Sequence, residues 1–183
     1  MNAKHTSNTQ EWYTPKAYLD AAKEVMGHID LDPASSAIAN SSVEATTYYT
    51  LEQDGLSKPW GHLDNTVKVF CNPPGGKLKG KSIPKMFWEK LIVEAELGYI
   101  AEAIFLAFSI ELLQTSQLSY VTPAASHPIC IPNRRIAFVD ATGKPVKGNT
   151  HASAIIYVPG TVDNSQKFCE VFKKFGSIVL PYN

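Results

Sequence analysis

The chain has 183 residues, 44% of them hydrophobic and 19% charged, with 17 basic residues against 17 acidic ones. This is enough length and apolar material for one globular domain with a substantial core. The net charge of zero excludes a global field that would draw the chain onto nucleic acid or an acidic membrane, so any polyanion has to be met by a local patch. Cys71, Cys130 and Cys169 stand far apart without ligand spacing, which argues against a metal site or disulfide framework and fits a reducing cytoplasm. The longest apolar run, near Ala103 to Phe108, is too short to span a bilayer.

Residues 1–10 are polar, lack a signal-like apolar core and read as a flexible lead-in to a single domain over 11–183. Thr14-Pro15 reads as a helix start, with Thr14 at the N-cap and Pro15 at the first helical position. Leu19, Ala22, Val25 and Met26 continue at helical spacing as far as Gly27. A short strand over 28–31 runs into Asp32-Pro33-Ala34-Ser35-Ser36. A second extended piece over 45–50 precedes turn chemistry at Glu52-Gln53-Asp54-Gly55. The β-favouring run 67–71 is followed by a basic loop and an amphipathic helix over about 82–97. The run 103–108 reads as a central buried strand, followed by a helix over roughly 110–118. Segments 135–140 and 152–158 read as an antiparallel hairpin with a long tip over 141–151. A helix over 165–175 and a last short strand over 177–180 close the chain. The fold class expected is α/β, a Rossmann-like sheet, mostly parallel, with a C-terminal antiparallel hairpin.

The chemistry concentrates where strand 67–71 stops at Asn72-Pro73-Pro74-Gly75-Gly76. Two prolines end the ladder, and the first holds Asn72 extended at the strand's carboxyl end, beside the crevice where open α/β sheets bind ligands. The Asn72 amide has an acceptor and two donors, and the Pro73 carbonyl lacks a regular partner; together they suit a planar –NH2 group. Asp30 and Asp32, two residues apart, are expected on one face of the first strand, where carboxylates can accept bonds from hydroxyls and amines.

Glu11-Trp12-Tyr13-Thr14-Pro15, Ile29 to Ser36, Asp54-Gly55-Leu56 and Phe70-Cys71-Asn72-Pro73-Pro74 occur in one order, and together they resemble the phage-type Dam-like DNA N6-adenine methyltransferases. The resemblance covers about residues 9–158. It implies a class I methyltransferase sheet with S-adenosylmethionine as cofactor. Methyl transfer to adenine N6 in DNA follows from it, with the base rotated into a pocket at Asn72, Pro73 and Pro74. It assigns Asp30, Asp32, Pro33, Ala34 and Ser35, a bend without the common Gly-x-Gly, to the cofactor, together with Asn72. Thr14 and Pro15 fall at the cofactor's carboxylate, Trp12 or Tyr13 beside it, and Asp54 near its adenine. Glu44 and Glu52 both remain open for the ribose. No metal is needed. A monomer or weak dimer in a host-cell cytoplasm, marking phage DNA against restriction, completes the implied picture.

The sequence departs from the commonest pattern at Gly75, where an aromatic usually stacks on the base; Phe87, Trp88 and Tyr13 are the candidates to replace it. Lys77, Lys79, Lys81 and Lys85, with no acid among them, could neutralise phosphates next to the pocket. Arg134 and Arg135 could reach phosphate or guanine. His127 and His151 read as surface residues. Two alternatives stand: an amino methyltransferase acting on RNA or protein, and a degenerate methyltransferase fold that binds DNA or a partner without catalysis.

Overall fold

The computed structural model describes residues 12–113, 124–146 and 151–181. The expected lead-in (1–10), the end of the helix expected after residue 110 (114–118) and part of the 141–151 tip lie outside the described residues.

Helix α1 (Lys16–Met26) begins one residue later than the sequence suggests. Pro15 takes the N-cap position with extended backbone and no side chain caps the helix, so Thr14 is not its cap. Strand β1 (Leu31–Asp32) is shorter and later than the expected 28–31. Next comes α2 (Ala37–Val43), a short helix absent from the sequence reading. Ser36 supplies its cap by accepting a bond from the Ala39 amide at 3.1 Å. Strand β2 (Thr47–Tyr48) lies inside the expected extended piece, and β3 (Val67–Cys71) has the expected bounds. The basic loop folds into a small hairpin, β4 (Lys77–Leu78) with β5 (Lys81–Ser82), turned at Lys79-Gly80. Both turn residues have positive φ, 49° and 80°, the twist that a two-residue hairpin loop requires.

Helix α3 (Ile83–Glu96) matches the expected amphipathic helix, and β6 (Ile100–Ala107) is buried along its whole length. Of the helix expected over 110–118, the described part is a single 3-10 turn, Ile110–Leu113. Strands β7 (Ile129–Pro132) and β8 (Ala154–Pro159) precede α4 (Ser165–Phe172) and β9 (Gly176–Val179).

The main sheet has the order β2-β1-β3-β6-β8-β7-β9. Strands β2, β1, β3 and β6 pair in parallel; β8 is antiparallel to both β6 and β7, and β7 to β9. Such a sheet is compatible with a Rossmann-like fold. The expected hairpin between 135–140 and 152–158 is not formed. Both edges of β8 are occupied, by β6 and by Ile129-Cys130, so segment 135–140 has no edge to join. Its alternating apolar residues, Ile136 and Phe138, are instead buried in the core beside α1. Strand β7 escaped notice because prolines flank it, yet Pro132 is its last residue, where proline is tolerated.

Strand alternation divides the core in two. Phe70, Ile104, Leu106, Ile155 and Tyr157 face α1 and α4, while Val69, Cys71, Phe105, Ala107 and Ile156 face α3. At the amino end of the parallel strands, fully buried Glu102 accepts bonds from Tyr157 Oη at 2.9 Å and Asn164 Nδ2 at 3.0 Å, with Lys68 Nζ at 3.6 Å. That network ties β3, β6, β8 and the start of α4 together and leaves the carboxyl ends for ligand.

Candidate functional site

From β1 the chain goes to β2 on one side and then crosses to β3 on the other, so the strand order reverses between β1 and β3. Open α/β sheets bind ligands at such a reversal, outside the carboxyl ends of the strands. Asp32 ends β1 and Asn72 directly follows β3, with Leu31 opposite Val69. The two side chains singled out in the sequence therefore flank one crevice.

Asn72 is half-buried, and its Nδ2 donates to Thr14 Oγ1 at 3.2 Å and, at a longer 3.5 Å, to the Trp12 carbonyl. Among the described residues, no donor meets its Oδ1. Thr14 is 5% exposed, so the hydroxyl expected at a cofactor carboxylate is instead packed against Asn72. The entry segment is held by a bridge between Tyr13 and Val139, with N–H to O distances of 2.9 and 3.0 Å, and by the Trp12 ring on Phe138. Pro73 is buried, whereas Pro74 and Gly75 are exposed.

Asp32 is 3% exposed, and burial pushes its carboxyl up to about 6, against the lowering effect of the Ala34 amide and the nearby Ser35 hydroxyl. Its Oδ1 accepts from the Ala34 amide at 3.2 Å, which shapes the tight bend at Pro33, Ala34 and Ser35 without glycine. The Ser35 amide is tied to the Tyr49 carbonyl at 2.9 Å, yet among the described residues its buried Oγ has no partner within hydrogen-bond geometry. The neighbouring Cys71 thiol is held well above its ordinary range by burial first and the Asp32 charge second. Asp30, at the start of the strand, accepts from the Lys68 amide at 2.9 Å through its carboxylate, which also lies 3.0 Å from His28.

Asp54 is exposed in a turn, and Gly55 beside it is buried against the bend. A Cβ on Gly55 would stand 1.9 Å from the Pro33 carbonyl oxygen, so only glycine allows this approach. The packing brings Asp54 alongside the Asp32–Ser35 bend. Glu44, one of the two ribose candidates, is ion-paired to Lys23 and ends α2.

Lys77, Lys79 and Lys81 are exposed on the β4–β5 hairpin without ion pairs among the described residues. Lys85 differs: it is half-buried on α3 and lies 3.9 Å from Glu89. Arg134 and Arg135 are exposed just past β7, likewise without ion pairs among the described residues. Phe87 and Trp88, two of the aromatics considered for Gly75, are buried in the core against Trp60 and Phe105. His127 is not a surface residue. Its Nε2 is buried with no partner among the described residues, its ring lies edge-on to Trp88, and burial lowers its pKa. Phe108, counted in the sequence only as core, emerges one residue past β6 with its ring edge against Gly75.

With this arrangement in view, the family comparison is decisive: the family model described as DNA N-6-adenine-methyltransferase (Dam) matches residues 2–174. The chain belongs to the Dam family. Membership implies methylation of adenine N6 in DNA, with DNA as substrate. Among curated proteins, none matches the sequence. The Dam match covers every described residue named in the crevice, from Trp12 to Phe108. Among the described residues no cluster of three His, Cys, Asp or Glu stands together as metal ligands, and no helix is long and apolar enough to cross a membrane.

Proposed function

We propose that this chain, as a single domain over 11–183, methylates adenine N6 in DNA with S-adenosylmethionine as donor, the base being rotated out of the stack into the β1–β3 crevice. One observation carries the reading. The Asn72 amide nitrogen is held by Thr14 Oγ1 and the Trp12 carbonyl, and its oxygen remains to accept from an incoming amine.

The cofactor fits the residues at the bend. Among the described residues, Asp32 is a buried carboxylate without an ion pair, and Ser35 Oγ is a buried hydroxyl with no partner in hydrogen-bond geometry. Both gain from a ligand carrying hydroxyl or amine groups. The first turn of α1 has no side-chain cap, so its amides suit a carboxylate. Asp54, packed beside the bend through Gly55, suits the adenine end. When bound, S-adenosylmethionine supplies an electrophilic methyl on a sulfonium centre.

The chain's own task is positioning. The N6 lone pair is conjugated with the ring and points nowhere useful. Hydrogen bonds from N6 to Asn72 Oδ1 and the Pro73 carbonyl favour a pyramidal nitrogen and aim its lone pair. Lys77, Lys79 and Lys81, with Arg134 and Arg135, meet the phosphates around the rotated nucleotide. A cytoplasmic phage enzyme marking its own DNA is the setting this reading fits.

The test is transfer of label from S-adenosylmethionine to mixed-sequence DNA by wild type and Asn72→Ala. N6-methyladenine made by wild type and lost in the variant supports the reading. Intact cofactor binding with no label on DNA would move the substrate to RNA or protein. Loss of both would leave a degenerate binding module.

A further inference from the structure

A flipped base loses the stacking of its neighbours, and enzymes that flip bases replace it with aromatic or apolar side chains in the pocket. Gly75 follows the second proline of the motif and cannot supply a ring. Two of the three aromatics that could have stood in for it, Phe87 and Trp88, are committed to the core at 6% and 0% exposure. The third, Tyr13, is paired through its backbone with Val139, next to the Thr14 that accepts from Asn72.

Phe108 is different. It directly follows β6, which lies next to β3, and it is half-buried. Its Cε1 and Cζ are both 3.6 Å from the point a Gly75 Cβ would occupy, and among the described residues, Gly75's chain neighbours aside, nothing else lies within 4 Å of that point. The Phe108 ring thus stands, from just past the neighbouring strand, in ordinary contact range of a side chain at position 75. Its backbone is fixed by the Ser153 hydroxyl, which donates to the Phe108 carbonyl at 3.2 Å. His151 stands edge-on to the ring with centroids 5.7 Å apart and planes at 90°, so a ring face stays uncovered by that contact.

We infer that Phe108 is the base-stacking residue of this enzyme, replacing in space the aromatic missing at Gly75. This rests on the proposed DNA adenine methylation. The ring receives the rotated adenine while Asn72 and Pro73 hold its amine. It contributes to capture of the base and leaves the cofactor's own affinity alone.

The experiment measures kcat/KM for DNA and KM for S-adenosylmethionine in the full chain and in Phe108→Ala, Phe108→Leu and the double variant Phe108→Ala/Gly75→Phe. Base stacking on an aromatic is strong enough that Phe108→Ala lowers kcat/KM for DNA roughly 10- to 100-fold. Phe108→Leu, apolar but without a π face, stays close to the alanine variant. The KM for S-adenosylmethionine holds in both. Position 75 accepts a side chain in ordinary contact once the ring at 108 is gone, so Gly75→Phe recovers about tenfold or more of the loss. Activity of Phe108→Ala within about twofold of wild type overturns the assignment, as does full activity in Phe108→Leu. Failure of Gly75→Phe to recover the loss makes Phe108 a packing residue and also overturns it. If wild type itself places no methyl on DNA, the underlying reading fails first and this inference falls with it.

Discussion

Thr14→Val tests whether the entry segment orients the Asn72 amide. The substitution removes the hydroxyl that accepts from Asn72 Nδ2 at 3.2 Å and puts a methyl of similar size in its place, so no cavity opens. What remains for Nδ2 is the Trp12 carbonyl at 3.5 Å, at the edge of useful geometry. Losing one neutral hydrogen bond costs about 1 kcal/mol net, and half-buried Asn72 can take a water in compensation, which keeps the figure from rising further. If the bond serves to hold Oδ1 toward the substrate amine, about 1 kcal/mol of orientation lost in the transition state is roughly a fivefold fall in kcat. Steady-state transfer of label to DNA, with S-adenosylmethionine and DNA varied in turn, separates the parameters. The expected result is lower kcat, little change in KM for the cofactor, and recovery in Thr14→Ser. An unchanged kcat with a strongly raised KM for S-adenosylmethionine would refute the argument, because the hydroxyl would then serve the cofactor and not Asn72.

Three further outcomes follow from particular contacts. Asp32 has a folded pKa of about 6, above its ordinary value of 3.8, so folding favours its protonated form. Its stability contribution is unfavourable and grows as pH rises from about 4 to about 6, reaching on the order of 3 kcal/mol above that window. Asp32→Asn should therefore raise the melting temperature of the free protein at neutral pH but not at pH about 4, while weakening S-adenosylmethionine binding by calorimetry. A variant no more stable than wild type at neutral pH would contradict it. The triple change of Lys77, Lys79 and Lys81 to Gln should flatten the dependence of log K for DNA on log salt by about 2 to 3 while leaving thermal stability nearly unchanged. An unaltered slope removes the hairpin from the DNA interface. Gly55→Ala drives a Cβ to 1.9 Å from the Pro33 carbonyl, so the bend must shift. The cost in unfolding free energy should exceed about 1 kcal/mol, with loss of cofactor binding. An alanine variant of wild-type stability would show that the approach is not tight.

Much of this site was legible because its parts are local in sequence. Val67 to Cys71 stops at two prolines, so both the strand and the position of Asn72 at its end follow from backbone sterics alone. Helix α3 and the buried strand β6 are legible from amphipathic periodicity and an unbroken apolar run, and the bend at Asp32 to Ser35 from the family resemblance. The misses are of another kind. Alternation at Ile136 and Phe138 was read as a strand because a two-residue period records burial on one face, whatever the neighbour. Whether a strand forms depends on a free edge, and β8 had none to give. Helix α2 depends on a single cap at Ser36 over seven residues, too short for periodicity to announce it.

The same distinction explains what the sequence left unresolved at position 75. A search along the chain looks for an aromatic near the motif, and Phe87 and Trp88 are the ones it meets. Helical periodicity turns both inward, onto Trp60 and Phe105. The ring that reaches Gly75 comes instead from residue 108, through the pairing of β3 with β6. Thr14 reaches Asn72 in the same way, across 58 residues, because α1 packs on the sheet beside Phe70 and Ile104. Each of these contacts is set by register and layer packing, which no spacing rule within one segment contains. The residues proposed to hold the substrate amine can therefore be read from a motif, whereas the contact that orients the motif's own amide and the ring proposed to cover the base require the sheet order.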